Sequence, residues 1–284
     1  MAKVAIVTDS TAYLPDKMVK ELNITIVPLT LNWGEESYQD GVDMLPEDFY
    51  RRMASSKEIP TTSQATEISM KNAFEVLLRK GYDVLGIFIS SKLSGTVQSA
   101  LMAREELVKG QEKIAILDSL ATTMALGWPV LTAARAANAG EGLVECRKLA
   151  EKARDQTGVM FVVETLEYLR RGGRIGGAQA MLGTLLNVKP LLELQDGRIE
   201  SVEKIRTKKK ALDRMLDLIE EKIAGRTPIR LATVHADAEA EAISLLEAAR
   251  KRFNPIESLH SPLSPVIGAH AGPGTLAIAI MTGI

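Results

Sequence analysis

The chain has 284 residues, of which 46% are hydrophobic and 4% aromatic, and its formal net charge at pH 7 is −1. A nearly neutral chain with few aromatic rings has no overall attraction to nucleic acid or to an anionic membrane, and offers few faces on which bases could stack. Its single cysteine, Cys146, excludes an internal disulfide and is typical of a reducing compartment. Composition therefore excludes a disulfide-stapled protein and argues against non-specific nucleic-acid binding.

The apolar segments are too short for membrane insertion. The N-terminal stretch MAKVAIVTDS reaches Asp9 after a brief apolar run, and no later segment has eighteen uninterrupted apolar residues. Neither a signal peptide nor a stable membrane insertion is expected, and we predict a soluble, cytoplasmic protein. Because the length exceeds the usual size of a single core, two domains are predicted.

The N-terminal half alternates β-branched runs with amphipathic ones. In chain order these are VAIVT then PDKMVKEL, ITIVPLTL then PEDFYRRM, DVLGIFI then a helix over 95–108, and KIAILD then a helix from about Thr122. This alternation predicts βαβ units, and hence a three-layer α/β domain built on a parallel sheet. Ligands bind at the carboxyl ends of such strands, so Asp9, Ser10 and Thr11, which follow the first run, are candidate site residues.

The pattern changes after a predicted helix over 142–156. A buried-type run, GVMFVVE, precedes a stretch rich in glycine and arginine, and the pair Asp196-Gly197 then separates two strand-like segments. That pair predicts a hairpin, so the second half is predicted to be an α/β domain with a mixed sheet. We place the boundary near Gly158, giving domains 1–157 and 158–284. With no Pro/Ser-rich linker between them, the two domains are expected to share a cleft that holds the ligand.

One helix after the hairpin is well marked by its periodicity. Thr207 is a plausible N-cap, and an apolar stripe with helical spacing follows it: Leu212, Met215, Leu216, Ile219 and Ile223. We interpret this stripe as core.

The segment ISSKLSGTVQSA at 89–100 places five hydroxyl residues between a predicted strand and a predicted helix. Such hydroxyls can cap the helix, or they can donate hydrogen bonds to an anion beside its N-terminus. The residues alone leave both roles open.

Familiar catalytic and cofactor motifs are missing. GGRIGG at 172–177 does not have the G-x-G-x-x-G spacing, and neither a P-loop nor a G-x-S-x-G elbow occurs. The histidines are His235, His260 and His270, without a spacing that would complete a metal site, so no metal and no cofactor are predicted. His270 lies in IGAHAGPG, whose small residues favour close backbone approach, and it is a further candidate site residue.

Eight segments together resemble the DegV family of bacterial fatty-acid-binding proteins. They occur in order along nearly the whole chain: TDSTAYLP (8–15), PTTSQAT (60–66), SSKLSGTVQSA (90–100), LDSLATTMALG (117–127), LEYLRRGGRIGGAQA (166–180), KPLLELQDGRI (189–199), IRTKKKA (205–211) and HAGPG (270–274). The resemblance implies a non-catalytic carrier that encloses one long-chain fatty acid between its domains. It also implies a partner, a fatty acid kinase that phosphorylates the presented carboxylate to acyl phosphate.

The resemblance also implies roles for particular residues. Thr62 and Ser94 match the positions that hold the carboxylate, and Arg206 matches a basic position implicated in the kinase encounter. Thr61 is a second threonine where the family pattern has one, so both threonines are candidates for facing the ligand.

Physical chemistry makes this assignment intelligible. An acyl chain of about sixteen carbons gains on the order of 10 kcal/mol on leaving water. Its carboxylate then needs donors, which the hydroxyls of Thr62 and Ser94 and the Gly95 amide at a helix N-terminus can supply.

Basic residues concentrate in one part of the chain, namely Arg170, Arg171, Arg174, Arg198, Lys204, Arg206 and 208–210. They are either a solvated face or a surface that steers an acidic partner, and we favour the second interpretation. Two other classes stay open: a DNA-binding regulator that uses this segment, and an enzyme that acts on a small anion in the cleft. A regulator would need a reading element such as a helix-turn-helix, which the sequence does not show.

Overall fold

The computed structural model describes residues 3–183 and 188–284. The N-terminal elements are β1 (Val4–Asp9), α1 (Asp16–Glu21), β2 (Thr25–Val27), β3 (Thr30–Trp33), β4 (Glu36–Gln39), α2 (Pro46–Ser55), β5 (Thr61–Ser63), α3 (Glu67–Arg79), β6 (Asp83–Phe88), α4 (Thr96–Glu105), β7 (Ile114–Asp118), α5 (Thr123–Asn138) and α6 (Leu143–Asp155). The C-terminal elements are β8 (Thr157–Val162), α7 (Glu167–Arg171), β9 (Lys189–Gln195), β10 (Arg198–Ile205), α8 (Lys208–Ile223), β11 (Ile229–His235), α9 (Glu239–Phe253), β12 (Glu257–Pro262), α10 (Pro265–Ala271) and β13 (Leu276–Thr282).

The first sheet is parallel, with the strand order β2-β1-β6-β7. Its central strand β1 is buried along its whole length, as expected of a parallel strand that is covered on both faces. Helix α3 packs against α4, and α5 packs against α6. The first pair packs on β6 and β7 and the second on β1, β6 and β7, which confirms the predicted α/β domain built on a parallel sheet.

The second sheet is mixed, with the order β10-β9-β8-β13-β11-β12, in which β11 and β12 are parallel and the other neighbours antiparallel. The predicted hairpin is confirmed, since Asp196 and Gly197 both have positive φ, the combination that a tight two-residue turn requires. The predicted helix is α8, with the Thr207 hydroxyl accepting the Lys210 amide. Its stripe packs on the sheet beside α9 and forms a core cluster.

Helix α5 lies between the two sheets and contacts β1 and β6 of one and β8 and β13 of the other. Most of its side chains are buried, including Trp128. One hydrophobic cluster runs from the parallel sheet through α5 to the mixed sheet. The strands of the mixed sheet all fall within 157–282, and the predicted boundary near Gly158 stays a prediction.

Two local features differ from, or were absent from, the sequence prediction. ITIVPLTL is not one strand, because Pro28 lacks the N–H that a continuing ladder needs, and the chain leaves the parallel sheet there. Beyond Pro28 it forms β3, which pairs with β4 and β5 in a small antiparallel sheet that the sequence did not predict. The segment around His270 is a helix for which the sequence analysis made no prediction: Ser264 accepts the Ile267 amide and begins α10.

Candidate functional site

A cavity of about 690 Å³ is lined by residues from both parts of the chain. Its apolar wall includes side chains from the parallel-sheet part and from the mixed sheet, among them Ile89, Leu93, Met102, Val159, Phe161, Leu169, Leu194 and Ala277. The volume lies within the ordinary range for sites that enclose a small organic molecule. The predicted cleft between the two parts is therefore a largely apolar chamber.

Thr62 and His270 meet at a polar part of the cavity wall. Thr62 lies on β5 opposite Leu31 of β3, and its Oγ1 is 2.7 Å from Nε2 of His270 on α10. Thr61 is exposed and does not line the cavity. Of the two candidate threonines, the structure places Thr62 on the cavity.

The His270 ring is neutral at pH 7. Burial, together with the nearby positive charge of Arg174, lowers its pKa to about 4. Nδ1 of the ring is buried and has no hydrogen-bond partner among the described residues. An unpaired acceptor is tolerated better than an unpaired N–H, so we assign the proton to Nε2. The ring then donates to Thr62 Oγ1, and the Thr62 hydroxyl hydrogen is free to donate to a ligand.

Ser94 lines the cavity just before α4 begins. Its Oγ accepts the Thr96 amide at 3.3 Å and lies 2.9 Å from Thr96 Oγ1. If the Thr96 hydroxyl donates in this pair, the Ser94 hydroxyl is free for a ligand. The loop is fixed by the Ser90 carbonyl, which accepts the amides of Leu93 and Ser94.

Other hydroxyls of the 89–100 segment have structural contacts. Ser90 donates to the carbonyl of Gly197 in the hairpin turn, and Ser99 accepts from the Gln64 side chain. Ser90 therefore links the N-terminal and C-terminal parts of the chain by a hydrogen bond, whereas Ser94 faces the cavity.

Gly95 does not line the cavity, which departs from the predicted direct ligand contact. It precedes α4 beneath Gln64, and a Cβ at Gly95 would lie 2.6 Å from Gln64 Oε1. The reason is steric: without a side chain at Gly95, Gln64 packs over the backbone and contributes to the cavity wall itself.

Asp9, Ser10 and Thr11 also lie outside the cavity lining, contrary to their selection as candidate site residues. The Asp9 carboxylate accepts hydrogen bonds from the Thr11 amide and hydroxyl and from the Ile89 amide. Ser10 donates to Asp40 at 2.6 Å. Burial raises the pKa of Asp9, and these bonds oppose that rise. The hydrogen-bonding capacity of this group is used to join loops at the end of the parallel sheet.

Arg174 is a cavity residue that sequence reasoning assigned only to the basic cluster. Its guanidinium donates to the carbonyls of Leu93 at 3.0 Å and Gly172 at 2.6 Å. A Cβ at Gly172 would lie 2.0 Å from His270 Nδ1, and one at Gly176 would lie 2.3 Å from the Ile199 carbonyl oxygen. The glycines of GGRIGG therefore permit close packing around the cavity.

The basic residues around Arg206 lie away from the cavity. Arg206 is exposed between β10 and α8 and does not line the cavity. Lys208 forms ion pairs with Glu164 at 3.2 Å and Glu241 at 2.6 Å. Part of this segment is therefore neutralised within the chain, and its docking role stays a prediction.

Two other features are absent from the part of the chain that the structure describes. Across 3–183 and 188–284, no group of three or more His, Cys, Asp or Glu could hold a metal ion. Within the same ranges, no helix is long and apolar enough to span a membrane.

An α/β architecture with an apolar chamber between two sheets defines a candidate small-molecule-binding protein. Residues 3–283 match the family described as "Uncharacterised protein, DegV family". A DegV domain-containing protein of Halalkalibacterium halodurans is 37% identical over 280 residues, which are 98% of each chain. The chain belongs to the DegV family, which confirms the resemblance seen in the motifs.

Two solved structures are similar along the whole fold. A DegV family protein from Thermus thermophilus, described by its fatty acid binding, has a TM-score of 0.91 and 35% identity, and the match covers 99% of both chains. DegV of Bacillus subtilis, described as a fatty acid binding protein, has a TM-score of 0.90 and 35% identity, over 99% of this chain and 100% of that one. The predicted fold class is thereby confirmed.

Proposed function

We propose that this protein binds one long-chain fatty acid in the cavity and presents its carboxylate to a fatty acid kinase, acting as a carrier without catalysis of its own. The observation that carries the proposal is the chamber of about 690 Å³, largely apolar and with the Thr62–His270 pair on its wall. The two fatty-acid-binding relatives with 35% identity support the same ligand class.

The apolar wall accounts for affinity. Each buried methylene contributes about 0.8 kcal/mol, so a chain of about sixteen carbons gains on the order of 10 kcal/mol before the cost of association. Burial of that chain removes water from the carboxylate as well, and the carboxylate must then be hydrogen-bonded within the protein.

The polar wall accounts for orientation. Thr62 and Ser94 would donate hydroxyl hydrogens to the carboxylate, and neutral His270 would direct the Thr62 hydroxyl by donating to its oxygen. Arg174 would add a favourable positive charge while its guanidinium stays bonded to carbonyls. Neutral donors suit a carboxylate that must attack a phosphoryl group, because a bidentate arginine would hold both oxygens and lower their reactivity.

The kinase encounter would use the exposed basic segment around Arg206. Steering charges raise the rate of encounter without contributing to the ligand cavity, which fits the position of Arg206 outside the cavity wall. The reaction at the carboxylate would then take place where Thr62 and Ser94 present it, in a cytoplasmic complex with the kinase.

Organic extraction and mass spectrometry of the purified protein test the ligand class. We expect close to one fatty acid per chain, because an empty apolar chamber is unfavourable to hydrate. Protein from lipid-replete cells that carries no fatty acid would overturn the proposal.

Two adjacent threonines provide a matched pair of variants for the carboxylate. Thr62→Val removes a donor to a charged group and should weaken fatty acid binding about tenfold or more. Thr61→Val makes the same chemical change on an exposed side chain and should bind as the wild type does. Equal affinities of the two variants would reject Thr62 as a carboxylate donor.

A further inference from the structure

Asp40 is a buried carboxylate outside the cavity that joins two segments distant in the chain. Its side chain belongs to a residue only 1% exposed, in the connection between β4 and α2. One carboxylate oxygen accepts the Ser10 hydroxyl at 2.6 Å, and the other accepts the Val266 amide at 3.2 Å. Asp40 therefore bridges residues 10 and 266 through a single side chain.

The bond to Val266 bears on α10. Val266 is the second residue of this seven-residue helix, so its amide is one of the N-terminal donors that have no partner within a helix. Asp40 supplies that acceptor, and Ser264 Oγ supplies another for the Ile267 amide. His270 lies one turn further on, about 6 Å along the helix axis. A hydrogen-bonded turn of this length moves as a unit, so the position of its N-terminus sets the position of the ring.

The bond between Asp40 and Ser10 connects Asp40 to Thr62, the other member of the Thr62–His270 pair. Ser10 Oγ also accepts the Leu29 amide at 3.1 Å, and Leu29 lines the cavity. Leu29 precedes β3, whose Leu31 pairs with Thr62 on β5. The chain of contacts from Asp40 thus reaches both members of the Thr62–His270 pair.

Helix α10 also has an uncharged contact, with the Tyr50 side chain of α2. Gly268 faces α2, where a Cβ would lie 2.5 Å from the Tyr50 hydroxyl, and that hydroxyl donates to the Leu263 carbonyl at 3.4 Å. Helix α10 also packs on α2, α7, β3 and β5, and Asp40 adds the polar link between its N-terminal amides and the β3 side.

We propose that Asp40 is a positioning residue for the Thr62–His270 pair, holding α10 in register with the β3–β5 sheet through the Val266 amide and Ser10. Loss of its carboxylate displaces His270 from Thr62 and weakens carboxylate binding, although the apolar cavity wall is unchanged. The consequence for ligand binding rests on the proposed fatty acid function, whereas the consequence for the His270 ring does not.

The histidine side chains provide a direct readout, because the chain has three of them. Imidazole nitrogen–proton NMR spectra of the full-length protein would be recorded after lipid removal and again with saturating palmitate, with the His270 signals assigned through His270→Gln. Asp40→Ala is expected to shift the His270 signals and to leave those of His235 and His260 in place. Its affinity for palmitate should fall about tenfold.

Two further variants separate positioning from general damage. Asp40→Asn keeps an oxygen that can accept the Val266 amide and should restore most of the His270 signature and of the affinity. Asp43→Ala is the matched control: it removes the same charge from the same connection and one backbone contact, to the Gln39 amide, without touching α10. It should leave the His270 signals unchanged.

Unchanged His270 signals in folded Asp40→Ala, or an equal shift in Asp43→Ala, would overturn the proposal. If Asp40→Ala does not fold, Ser10→Ala replaces it, since this change keeps the charge and removes the hydroxyl that links the Asp40 carboxylate to the Leu29 amide, while the bond from the Asp40 amide to the Leu29 carbonyl stays. Unchanged His270 signals in folded Ser10→Ala would count equally against it. If the wild type binds no palmitate while Asp40→Ala shows the expected His270 shifts, the fatty acid function is refuted and the positioning role stands.

Discussion

Two polar clusters of this protein differ in whether their hydrogen-bonding capacity is filled: Asp9 with its donors Thr11 and Ile89, and the Thr62–His270 pair. Asp9 is fully buried and receives three hydrogen bonds from Thr11 and Ile89. Thr62 and His270 share one bond at the cavity wall, and ring Nδ1 has no partner among the described residues. Asp9 lies at the carboxyl end of a parallel strand, where open α/β folds place ligand sites, yet only the Thr62–His270 pair faces the cavity.

The difference shows what separates a structural polar cluster from a candidate binding site. A carboxylate whose lone pairs are filled by the chain's own amides has little capacity for a ligand, and its removal leaves several donors unpaired. A hydroxyl that is oriented by a neutral ring and opens on an apolar chamber retains a donor for an incoming anion. Unused hydrogen-bonding capacity beside a cavity identifies the candidate site better than position at a strand end does.

Removal of the Asp9 carboxylate is the strongest test of the structural side of this comparison. Asp9→Ala leaves two amides and a hydroxyl without their acceptor and should lower the free energy of unfolding by roughly 3 kcal/mol or more. Urea unfolding followed by circular dichroism measures this loss. Asp16→Ala, at an exposed position in the first turn of α1, should cost less than about 1 kcal/mol. Similar losses in both variants would mean that Asp9 is not a structural anchor.

The pH dependence of stability tests the cavity side. Because the native pKa of His270 is about 4, below the ordinary value near 6.5, the unfolded chain binds this proton more readily between those two values. Falling pH therefore lowers the free energy of unfolding of the wild type. Between pH 7 and pH 5 the wild type should lose about 2 kcal/mol more of this free energy than His270→Gln does. Urea unfolding of both proteins at pH 7 and pH 5 measures the difference. A constant difference between the two pH values would contradict a neutral, buried ring.

Gly95 sharpens the comparison, because it adjoins the candidate site without facing the cavity. A Cβ there would push the Gln64 side chain from its place on the cavity wall, and the backbone is not strained since φ is −76°. Gly95→Ala should therefore change the unfolding free energy by less than about 1 kcal/mol and lower fatty acid affinity severalfold. Titration with a fluorescent fatty acid measures the affinity. A double variant with Gln64→Ala should recover part of the loss, and an unaltered affinity of Gly95→Ala would show that Gln64 does not matter for binding.

Arg206 lies outside both groups and should have the smallest effect on the protein itself. Arg206→Ala should leave stability within about 0.5 kcal/mol and fatty acid content unchanged. If the basic segment docks the kinase, acyl phosphate formation should slow, with a higher apparent Michaelis constant for the carrier and a shallower dependence on salt than in the wild type. Initial rates across ionic strengths measure this, with the exposed Lys80→Ala as the control outside the segment. Parallel salt dependences would assign Arg206 to the solvated surface, and loss of lipid would assign it to the fold.

Elements with strong local signals were predictable from the sequence. Buried β-branched runs marked the strands of the parallel sheet, and Asp196-Gly197 marked the hairpin because both residues favour positive φ. The sheet of β3, β4 and β5 was missed because its strands have three or four residues and are largely polar. Helix α10 was missed because its seven small and apolar residues carry no periodic pattern.

The candidate site was predictable only in part. The motif resemblance indicated Thr62 and Ser94, while the choice between Thr61 and Thr62 required the exposure and cavity position that pairing with β3 creates. Asp9 was selected by its position at a strand end; the bonds from Thr11 are local, but the bond from Ile89 to its other oxygen spans 80 residues and is not visible in the sequence. Arg174 was missed for the same reason, since its contact with Leu93 spans 81 residues.

Strand β10 ends the mixed sheet, and its outer side has no neighbouring strand among the described residues. An open, flat strand edge is a template for strand addition and for aggregation between molecules. In this protein residues 176–181 pack against β10, with Gly176 close to the Ile199 carbonyl. Here the register shifts between Ser201 and Glu203, and charged residues such as Arg198 and Glu200 punctuate the strand. A bulge twists the edge, and charges oppose its pairing with an identical copy. We therefore expect β10 to resist pairing with a second copy of the chain, and hence fibrillar association.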